Sequence, residues 1–398
     1  MEISMGQWKK IWNYIPVEWG TQIGVLEDLT QKVWVRNNLN GSQVKIRFCN
    51  LYDPEPLLLA AVTVGKWDAE TKTVKEIQEV TYRGNREIRI QPGDSFYSDG
   101  IPFSIKAEDD LVVSVYFREK HAFYSVCQTW NAGSFKSGFL RGDQVKSEKP
   151  HEMSTLDAFP FFGFDENACN GAAGLCGIQV LTEDEVTTLA CFGDSITHMS
   201  YYFDPLMEAL YRKYPGKITL LNCGIGGNRI LYDACYVEEI PGHGKCFGDA
   251  GISRFERDVY GDTEPDIVFF MEGVNDCTHG LAFELPEEVP SGEALFAGIR
   301  EIIGKAHEKN SKIYISTVMP FGCYEDAFRE QAEGIRQDLN ELIRRNRETA
   351  DGFLDLDQVM RKQEDIHFMK DGTHLGDGVH PNEAGGKMIA AAIAEKWF

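Results

Sequence analysis

Ser195 is the residue whose surroundings first suggest covalent chemistry. It ends the tripeptide Gly193-Asp194-Ser195, which follows the apolar run TTLACF and precedes a segment of helical spacing. A serine at such a point can act as a nucleophile when a base removes its proton. The same tripeptide recurs at residues 93–95, inside QPGDSFYSDG, with no helix after it. We interpret that copy as a turn, and the tripeptide at 193–195 taken by itself leaves a turn open as well.

A histidine preceded by a carboxylate could supply the base. Asp377 lies three residues before His380, next to the last predicted helix, whose first turn we expect to contain Pro381. A carboxylate at this spacing can bond the imidazole and fix its tautomer, so that the other ring nitrogen accepts a proton from serine. A second pair, Asp371 and His374, lies in a polar stretch with neither the proline nor the helix. We expect this pair, like the serine at position 95, to lie outside the site.

Two further polar segments follow predicted strands and could stabilise negative charge. ITLLNCG runs into a glycine-rich stretch at 224–227, where closely spaced glycines let backbone N–H groups approach a ligand. The dinucleotide pattern G-x-G-x-x-G fails there, because it needs glycine in place of Arg229. DIVFFMEG runs into residues 273–276, and the Asn275 amide is a neutral donor suited to an oxyanion. Each segment could instead be an ordinary turn.

The remaining polar clusters do not predict a metal or a cofactor. Cys235, His243 and Cys246 are spaced C-x7-H-x2-C, whereas structural zinc sites show closer ligand pairs and four ligands. We therefore expect an ordinary loop there. His198, Tyr201 and Tyr202 follow the segment that contains Ser195, and they could either line a pocket or pack against the start of a helix.

The chain changes character near residue 185. Before it, short segments of period two alternate with turn clusters, and VKIRFCNL places Val44, Ile46 and Phe48 on one face. This pattern predicts a β-sandwich over residues 1–185. From 186 to 398, apolar strands alternate with amphipathic helices, which predicts a parallel sheet covered on both faces. Ligands of such sheets bind at the carboxyl ends of the strands, where all four polar segments fall.

Together, the four segments resemble the sequence blocks of the SGNH/GDSL hydrolases, in that family's order. Ser195 matches the serine of the first block, Gly227 the glycine of the second, and Asn275 the asparagine of the third. Asp377 and His380 match the final D-x-x-H.

This resemblance implies a flavodoxin-like three-layer α/β/α domain and a serine esterase that needs no metal or cofactor. In its terms Ser195 is the nucleophile, His380 the base and Asp377 the residue that orients the base. The oxyanion would be bound by the N–H groups of Ser195 and Gly227 and by the side-chain amide of Asn275.

A weaker similarity extends to the first 185 residues. GSQVKIRFCNLYDPEPLLLAAVTV and PGDSFYSDG look like the jelly-roll-like accessory domain of a bacterial subgroup of this family. Some similar carbohydrate esterases place a β-sandwich before an SGNH domain, which implies removal of acetyl groups from carbohydrates. Two alternatives stay open: hydrolysis of longer acyl esters or thioesters, and a carbohydrate-binding protein with an inactive site.

Composition narrows the range of partners. The 398-residue chain has a formal net charge of −22, which argues against nucleic acid and membrane surfaces and favours a neutral small-molecule or oligosaccharide ester. No apolar run reaches the ~18 residues of a membrane span, and the N-terminus lacks the pattern of a signal peptide. We therefore expect a cytoplasmic protein if Met1 is the native start, and a secreted one if a leader has been removed.

The cysteines give a further prediction. Ten cysteines without the spacing of a disulfide framework predict reduced thiols.

Overall fold

The structure is a computed structural model, and it describes residues 6–149, 170–322 and 326–398. The chain divides into two compact units. The first comprises Met1–Val186 and Tyr211–Leu221, and the second comprises Thr187–Leu210 and Asn222–Phe398.

The first unit is built from short strands, as the period-two segments predict. They are β1 (Gln7–Asn13), β2 (Val17–Glu18), β3 (Gly24–Leu26), β4 (Leu29–Val35), β5 (Gly41–Asn50), β6 (Leu57–Leu59), β7 (Ala61–Asp68), β8 (Thr73–Glu79), β9 (Ile88–Ile90), β10 (Asp94–Tyr97), β11 (Ile101–Ile105), β12 (Leu111–Phe117), β13 (His121–Phe123), β14 (Ser125–Thr129), β15 (Phe135–Arg141), β16 (Asn170–Ala172) and β17 (Leu175–Thr182).

Two antiparallel sheets of five strands account for most of these elements. One has the order β1-β17-β5-β10, with β11 also paired to β5, and the other has the order β15-β4-β12-β7-β8. Within β5, Val44, Ile46 and Phe48 are buried, while the residues between them are half-buried. This alternation is the period of two that the sequence predicts for a strand with one covered face.

The turn predicted at residues 93–95 is shorter than expected. Pro92 and Gly93 form the turn, with Gly93 at a φ of 82°. Asp94 and Ser95 already belong to β10, where they pair with Asn50 and Cys49 of β5. Ser95 therefore lies in an antiparallel ladder, because backbone pairing with β5 outweighs the turn propensity of Asp and Ser.

The second unit contains the elements of an α/β domain. Its strands are β18 (Thr187–Gly193), β19 (Ile218–Gly224, which begins within the first unit), β20 (Ile267–Met271), β21 (Lys312–Ser316) and β22 (Gly352–Leu354). Its helices are α1 (Ser195–His198), α2 (Phe203–Lys213, which ends within the first unit), α3 (Gly251–Tyr260), α4 (Val274–Ala282), α5 (Gly292–Glu308), α6 (Asp326–Arg345), α7 (Leu356–Met360) and α8 (Glu383–Trp397), with 3₁₀ segments at Pro241–Phe247, Pro286–Glu288 and Arg347–Thr349.

The strands of this domain form one sheet of order β19-β18-β20-β21-β22. The pairs β18–β20, β20–β21 and β21–β22 are parallel. Numbered along the chain, this order is 2-1-3-4-5, which places a topological switch point between β18 and β20. Ser195 follows β18 and Asn275 follows β20, so the sheet brings these two polar segments to the position where such folds bind ligands.

The expectation for Pro381 is wrong in one detail. The last helix begins at Glu383, and Asn382 is its N-cap, with a side chain that accepts hydrogen bonds from the N–H groups of Ala384 and Gly385. Pro381 thus precedes the cap, because the asparagine side chain is the better partner for the free N–H groups of the first turn.

The eight cysteines in the described residues are buried, and none of these eight is in a disulfide. None of the helices described there combines the length and hydropathy needed to cross a lipid bilayer.

Candidate active site

The segment Gly193-Asp194-Ser195, the predicted nucleophile segment, lies at the sharp junction between β18 and α1. Asp194 is the N-cap of this short helix, and its carboxylate accepts a hydrogen bond of 3.0 Å from the N–H of Ile196. Ser195 is the first helical residue, where the backbone N–H has no acceptor within the helix. The serine is 9% exposed. A glycine is required just before this turn, because a Cβ on Gly193 would overlap the backbone oxygen of Met271 on β20.

Ser195, His380 and Asp377 are joined by two hydrogen bonds in series, an arrangement that we call the relay. The Ser195 Oγ atom lies 2.7 Å from His380 Nε2, and His380 Nδ1 lies 2.6 Å from Asp377 Oδ2. A neutral imidazole that donates its Nδ1–H to the carboxylate has its Nε2 lone pair free to accept the serine proton. The structure thus joins three residues that the sequence places up to 185 positions apart.

Asp377 is held as a carboxylate by its surroundings. Its Oδ1 atom accepts hydrogen bonds from the N–H groups of Val379 (2.9 Å) and His380 (3.0 Å). Partial burial raises the pKa of this carboxyl, but the His380 side chain and the two backbone donors outweigh burial and lower the pKa to about 2. The negative charge needed to orient the imidazole is therefore present at neutral pH.

His374 lies closer to the relay than its sequence context suggests. Its Nδ1 atom accepts hydrogen bonds from the N–H groups of Gly376 (3.1 Å) and Gly378 (3.0 Å), which flank Asp377. Its predicted partner Asp371 pairs instead with Lys362, at 2.6 Å. His374 thus orders the loop that carries Asp377 and His380, a role that the four sequence blocks do not indicate.

Gly227 and Asn275 are joined through the backbone of Asn228. The Asn275 Nδ2 atom donates to the carbonyl oxygen of Asn228 over 2.9 Å and is buried. Gly227 has a φ of 75°, and a Cβ there would overlap the ring of Phe247. The preceding N–H, of Gly226, donates to His198 Nδ1 over 3.0 Å. The second and third blocks therefore meet beside the nucleophile segment.

His198 and Tyr202 pack beneath the site. Both are buried, and the Tyr202 hydroxyl lies 3.1 Å from the hydroxyl of Thr197. Of the two alternatives that the sequence leaves open, packing at the helix start describes Tyr202, and His198 positions the glycine-rich loop.

Arg254 is a residue that the sequence analysis missed. It is fully buried, and its guanidinium donates to the carbonyl oxygens of Gly193 (2.8 Å) and Cys223 (2.9 Å) and to Asn228 Oδ1 (2.6 Å). These acceptors belong to the ends of β18 and β19 and to the loop after β19. One side chain therefore ties the nucleophile segment to the loop of Gly227. The sequence shows only that Arg254 falls on the inner face of a helix. Such a pattern does not reveal which groups the arginine contacts.

Two buried acidic side chains, at the end of β20 and the start of α4, have raised pKa values. Glu272, at the end of β20, lies 3.8 Å from the Arg254 guanidinium. Burial raises the pKa of Glu272 well above its usual range, and the charge of Arg254 opposes that rise. Asp276 accepts hydrogen bonds from the N–H groups of Ile230 (2.8 Å) and Leu231 (3.2 Å), and burial raises its pKa to about 7. Asp276 therefore fastens the loop after β19 to the start of α4.

No cluster of three or more His, Cys, Asp or Glu side chains suited to a metal ion occurs within residues 6–149, 170–322 and 326–398. Cys235 lies in the loop after β19, and His243 and Cys246 lie in the 3₁₀ segment Pro241–Phe247. The His243 ring stacks on Tyr236 with ring centroids 4.7 Å apart.

Residues 191–388 match the GDSL-like lipase/acylhydrolase family. This stretch contains all four blocks and the Ser195–His380–Asp377 relay. Residues 191–388 are a GDSL-like lipase/acylhydrolase domain. The resemblance inferred from the sequence blocks is confirmed, and the protein is an ester hydrolase.

The chain is also similar to solved structures that each cover about half of it. They include an acetyl xylan esterase at 21% identity (53% of this chain, 100% of that chain, TM-score 0.39) and a GDSL-like lipase from Bacteroides thetaiotaomicron at 20% identity (52% and 86%, TM-score 0.37). A catalytic mutant of an acetylxylan esterase from Geobacillus stearothermophilus aligns at 19% identity (53% and 94%, TM-score 0.39). A search of curated protein sequences found no match.

Proposed function

We propose that this GDSL-like hydrolase is a serine esterase that removes short acyl groups, chiefly acetyl, from carbohydrates. The observation that carries the proposal is the relay from Ser195 through His380 to Asp377, with its distances of 2.7 and 2.6 Å. A serine hydroxyl within hydrogen-bond reach of a histidine that is oriented by a carboxylate is the arrangement that acyl transfer requires.

Acylation begins when the Ser195 oxygen attacks the ester carbonyl carbon and His380 Nε2 takes the serine proton. The carbonyl oxygen becomes an anion in the tetrahedral intermediate. His380 then gives its proton to the leaving alcohol oxygen as the carbon–oxygen bond breaks, which leaves an acyl-Ser195 ester. Asp377 remains ionised and stabilises the imidazolium in between.

Deacylation repeats these steps with water. His380 takes a proton from the water molecule that attacks the acyl carbon, and it returns the proton to the serine oxygen as the acid departs. The products are the alcohol and a carboxylic acid, so atoms and charges balance without an additional reactant.

We assign the oxyanion donors to the N–H groups of Ser195 and Gly227 and to the side chain of Asn275. The Asn275 amide carries two N–H bonds. One of them donates to the Asn228 carbonyl oxygen and fixes the amide, and the other is the donor that we assign to the substrate. Each donor of this kind typically contributes about 3–4 kcal/mol to the transition state.

The carbohydrate substrate is supported by two observations. The first 185 residues resemble the accessory domain of two-domain carbohydrate acetylesterases. The net charge of −22 favours a neutral substrate over an anionic one.

We also assign two domains. Residues 1–185 would form a β-sandwich accessory domain, which the two five-stranded antiparallel sheets support. Residues 186–398 would form a flavodoxin-like three-layer SGNH domain, which the 2-1-3-4-5 strand order supports.

The test is esterase kinetics on purified protein with p-nitrophenyl acetate, butyrate and octanoate, followed by acetate release from acetylated xylan and mannan oligosaccharides. We expect acetate to be the best acyl group and acetate to be released from at least one oligosaccharide. A preference for octanoate would favour a longer-chain hydrolase. If a folded protein binds the oligosaccharides without hydrolysing any of these esters, it is a carbohydrate-binding protein and the proposal is wrong.

A further inference from the structure

Phe247 lies directly against the glycine that we assign to the oxyanion hole. Gly227 has a φ of 75°, and the space where its Cβ would stand is occupied by the Phe247 ring. The ring is half-buried, so part of its surface remains open. The ring therefore lies against a residue that we assign to the oxyanion hole, and it plays no part in the relay itself.

The position of Phe247 is set by hydrogen bonds to the same loop. Asn228, the neighbour of Gly227, donates through Nδ2 to the carbonyl oxygens of Phe247 (2.6 Å) and Asp249 (2.8 Å). The carbonyl oxygen of Gly248 accepts from the N–H of Ala234 over 2.8 Å. The backbone that carries the ring is thus held on both sides, and it cannot shift without breaking these hydrogen bonds.

His279 closes the space behind Phe247. It lies one helical turn after Asn275 on α4, and its ring centroid is 5.1 Å from that of Phe247. It is buried, and burial lowers its pKa to about 3, so the imidazole is neutral at physiological pH. Phe283 completes the aromatic group, with centroids 4.9 Å from His279 and 6.5 Å from Phe247.

We propose that Phe247, supported by His279, is the wall of the acyl pocket and limits the acyl group to about the size of acetyl. This inference rests on the proposed function, because it takes Gly227 as an oxyanion donor. When the carbonyl oxygen binds to Gly227 and Asn275, the acyl substituent extends from a carbon one bond away. A ring packed on Gly227 and facing the Asn275 helix stands beside that substituent.

The physical basis is steric overlap between a longer acyl chain and the Phe247 ring. Methylenes added to an acyl chain must fit against a ring whose backbone is held by hydrogen bonds and whose other side packs on His279. A pocket can distinguish one methylene by roughly 10–200-fold in kcat/KM. Removing the ring should therefore enlarge the range of acyl chains without altering the relay.

The test compares the butyrate-to-acetate ratio of kcat/KM, measured with p-nitrophenyl esters, in the parent and in Phe247→Ala. We expect the ratio to rise at least tenfold in the variant, mainly through faster butyrate hydrolysis. Phe247→Leu should give an intermediate rise, and it replaces Phe247→Ala if the alanine variant fails to fold by circular dichroism.

Phe283→Ala is the matched control. It removes a ring from the same aromatic group but not the one on Gly227, so its ratio should stay within about twofold of the parent. The inference is overturned if the ratio is unchanged in folded Phe247 variants, or if Phe283→Ala shifts it equally. Both results differ from failure of the proposed function, in which the parent has no ester hydrolysis that Ser195→Ala abolishes.

Discussion

The chain carries the tripeptide Gly-Asp-Ser twice, and the two copies show what turns such a motif into a site. At residues 93–95 it opens an antiparallel strand, and the Ser95 hydroxyl accepts a hydrogen bond of 2.9 Å from Arg47 Nε. At residues 193–195 it ends a parallel strand and starts a helix, and Ser195 faces His380.

The first glycines of the two copies, Gly93 and Gly193, also differ in their surroundings. A Cβ on Gly93 would meet nothing within 4 Å, whereas a Cβ on Gly193 would overlap the backbone of β20. Asp94 is exposed, whereas Asp194 is buried and caps α1. Identical residues thus have different consequences, because only the second copy lies where the ends of neighbouring parallel strands converge.

The strongest test of this comparison replaces each of the two serines in a separate variant. Ser195→Ala should lower kcat for p-nitrophenyl acetate by roughly 10⁴–10⁶, because the nucleophile is lost. Ser95→Ala should leave kcat within about twofold. The double variant Ser195→Ala with His380→Ala should be little worse than Ser195→Ala, because the two residues act as one unit. The assignment fails if folded Ser195→Ala retains more than about a tenth of parent activity, far above the loss expected for a nucleophile.

Asn275→Ala should lower kcat by roughly 10²–10³ while KM changes little, because the amide acts mainly on the charged transition state. Asn275→Asp has the same shape but lacks the donor, and it should be at least as impaired. Steady-state kinetics separates the two parameters. A rise in KM at constant kcat would instead mean that the amide binds the ground state.

Arg254→Lys should lower kcat by roughly 10–100-fold, the size of effect expected from a small misplacement of catalytic groups. Lysine keeps the charge but cannot donate to Gly193, Cys223 and Asn228 together. Arg257→Lys is the control, since Arg257 lies on the same helix with a side chain that is 51% exposed. A positioning role predicts a fall in kcat with KM within about threefold. Equal losses in both variants would contradict it.

The smallest expected effect concerns acid stability. The folded-state pKa of Asp377 is about 2, below the usual ~3.8–3.9 of an unfolded aspartate. Its contribution to the free energy of unfolding is therefore complete above about pH 4 and lost as the pH falls toward 2. Because the side chain is 39% exposed, solvent screening limits this contribution to about 1 kcal/mol or less.

Urea unfolding of the parent and of Asp377→Asn at pH 7 and pH 2.5 measures this contribution. The stability advantage of the parent should shrink at the lower pH. An advantage that is constant with pH would mean that Asp377 is not linked to folding through its charge.

The sequence alone determined the α/β class of the second half and the identity of the residues in its four polar blocks. Period-two and helical spacing are local properties, because they reflect which side chains of one element face the core. The residue types are equally informative, since a serine, a histidine and a carboxylate have few chemical uses together. These features do not depend on knowing which elements become neighbours.

Only the tertiary structure decided which polar residues meet. The strand order places the segments after β18 and β20 side by side, but the fourth block follows α7 and not a strand. Only the folded chain shows that its His380 lies 2.7 Å from Ser195. It also gave His374, Arg254 and Phe247 roles that no pattern indicated. Their contacts are hydrogen bonds to backbone atoms and ring packing across elements. Such contacts depend on where distant backbone segments come together. The residue types along one segment do not reveal which distant segments will be its neighbours.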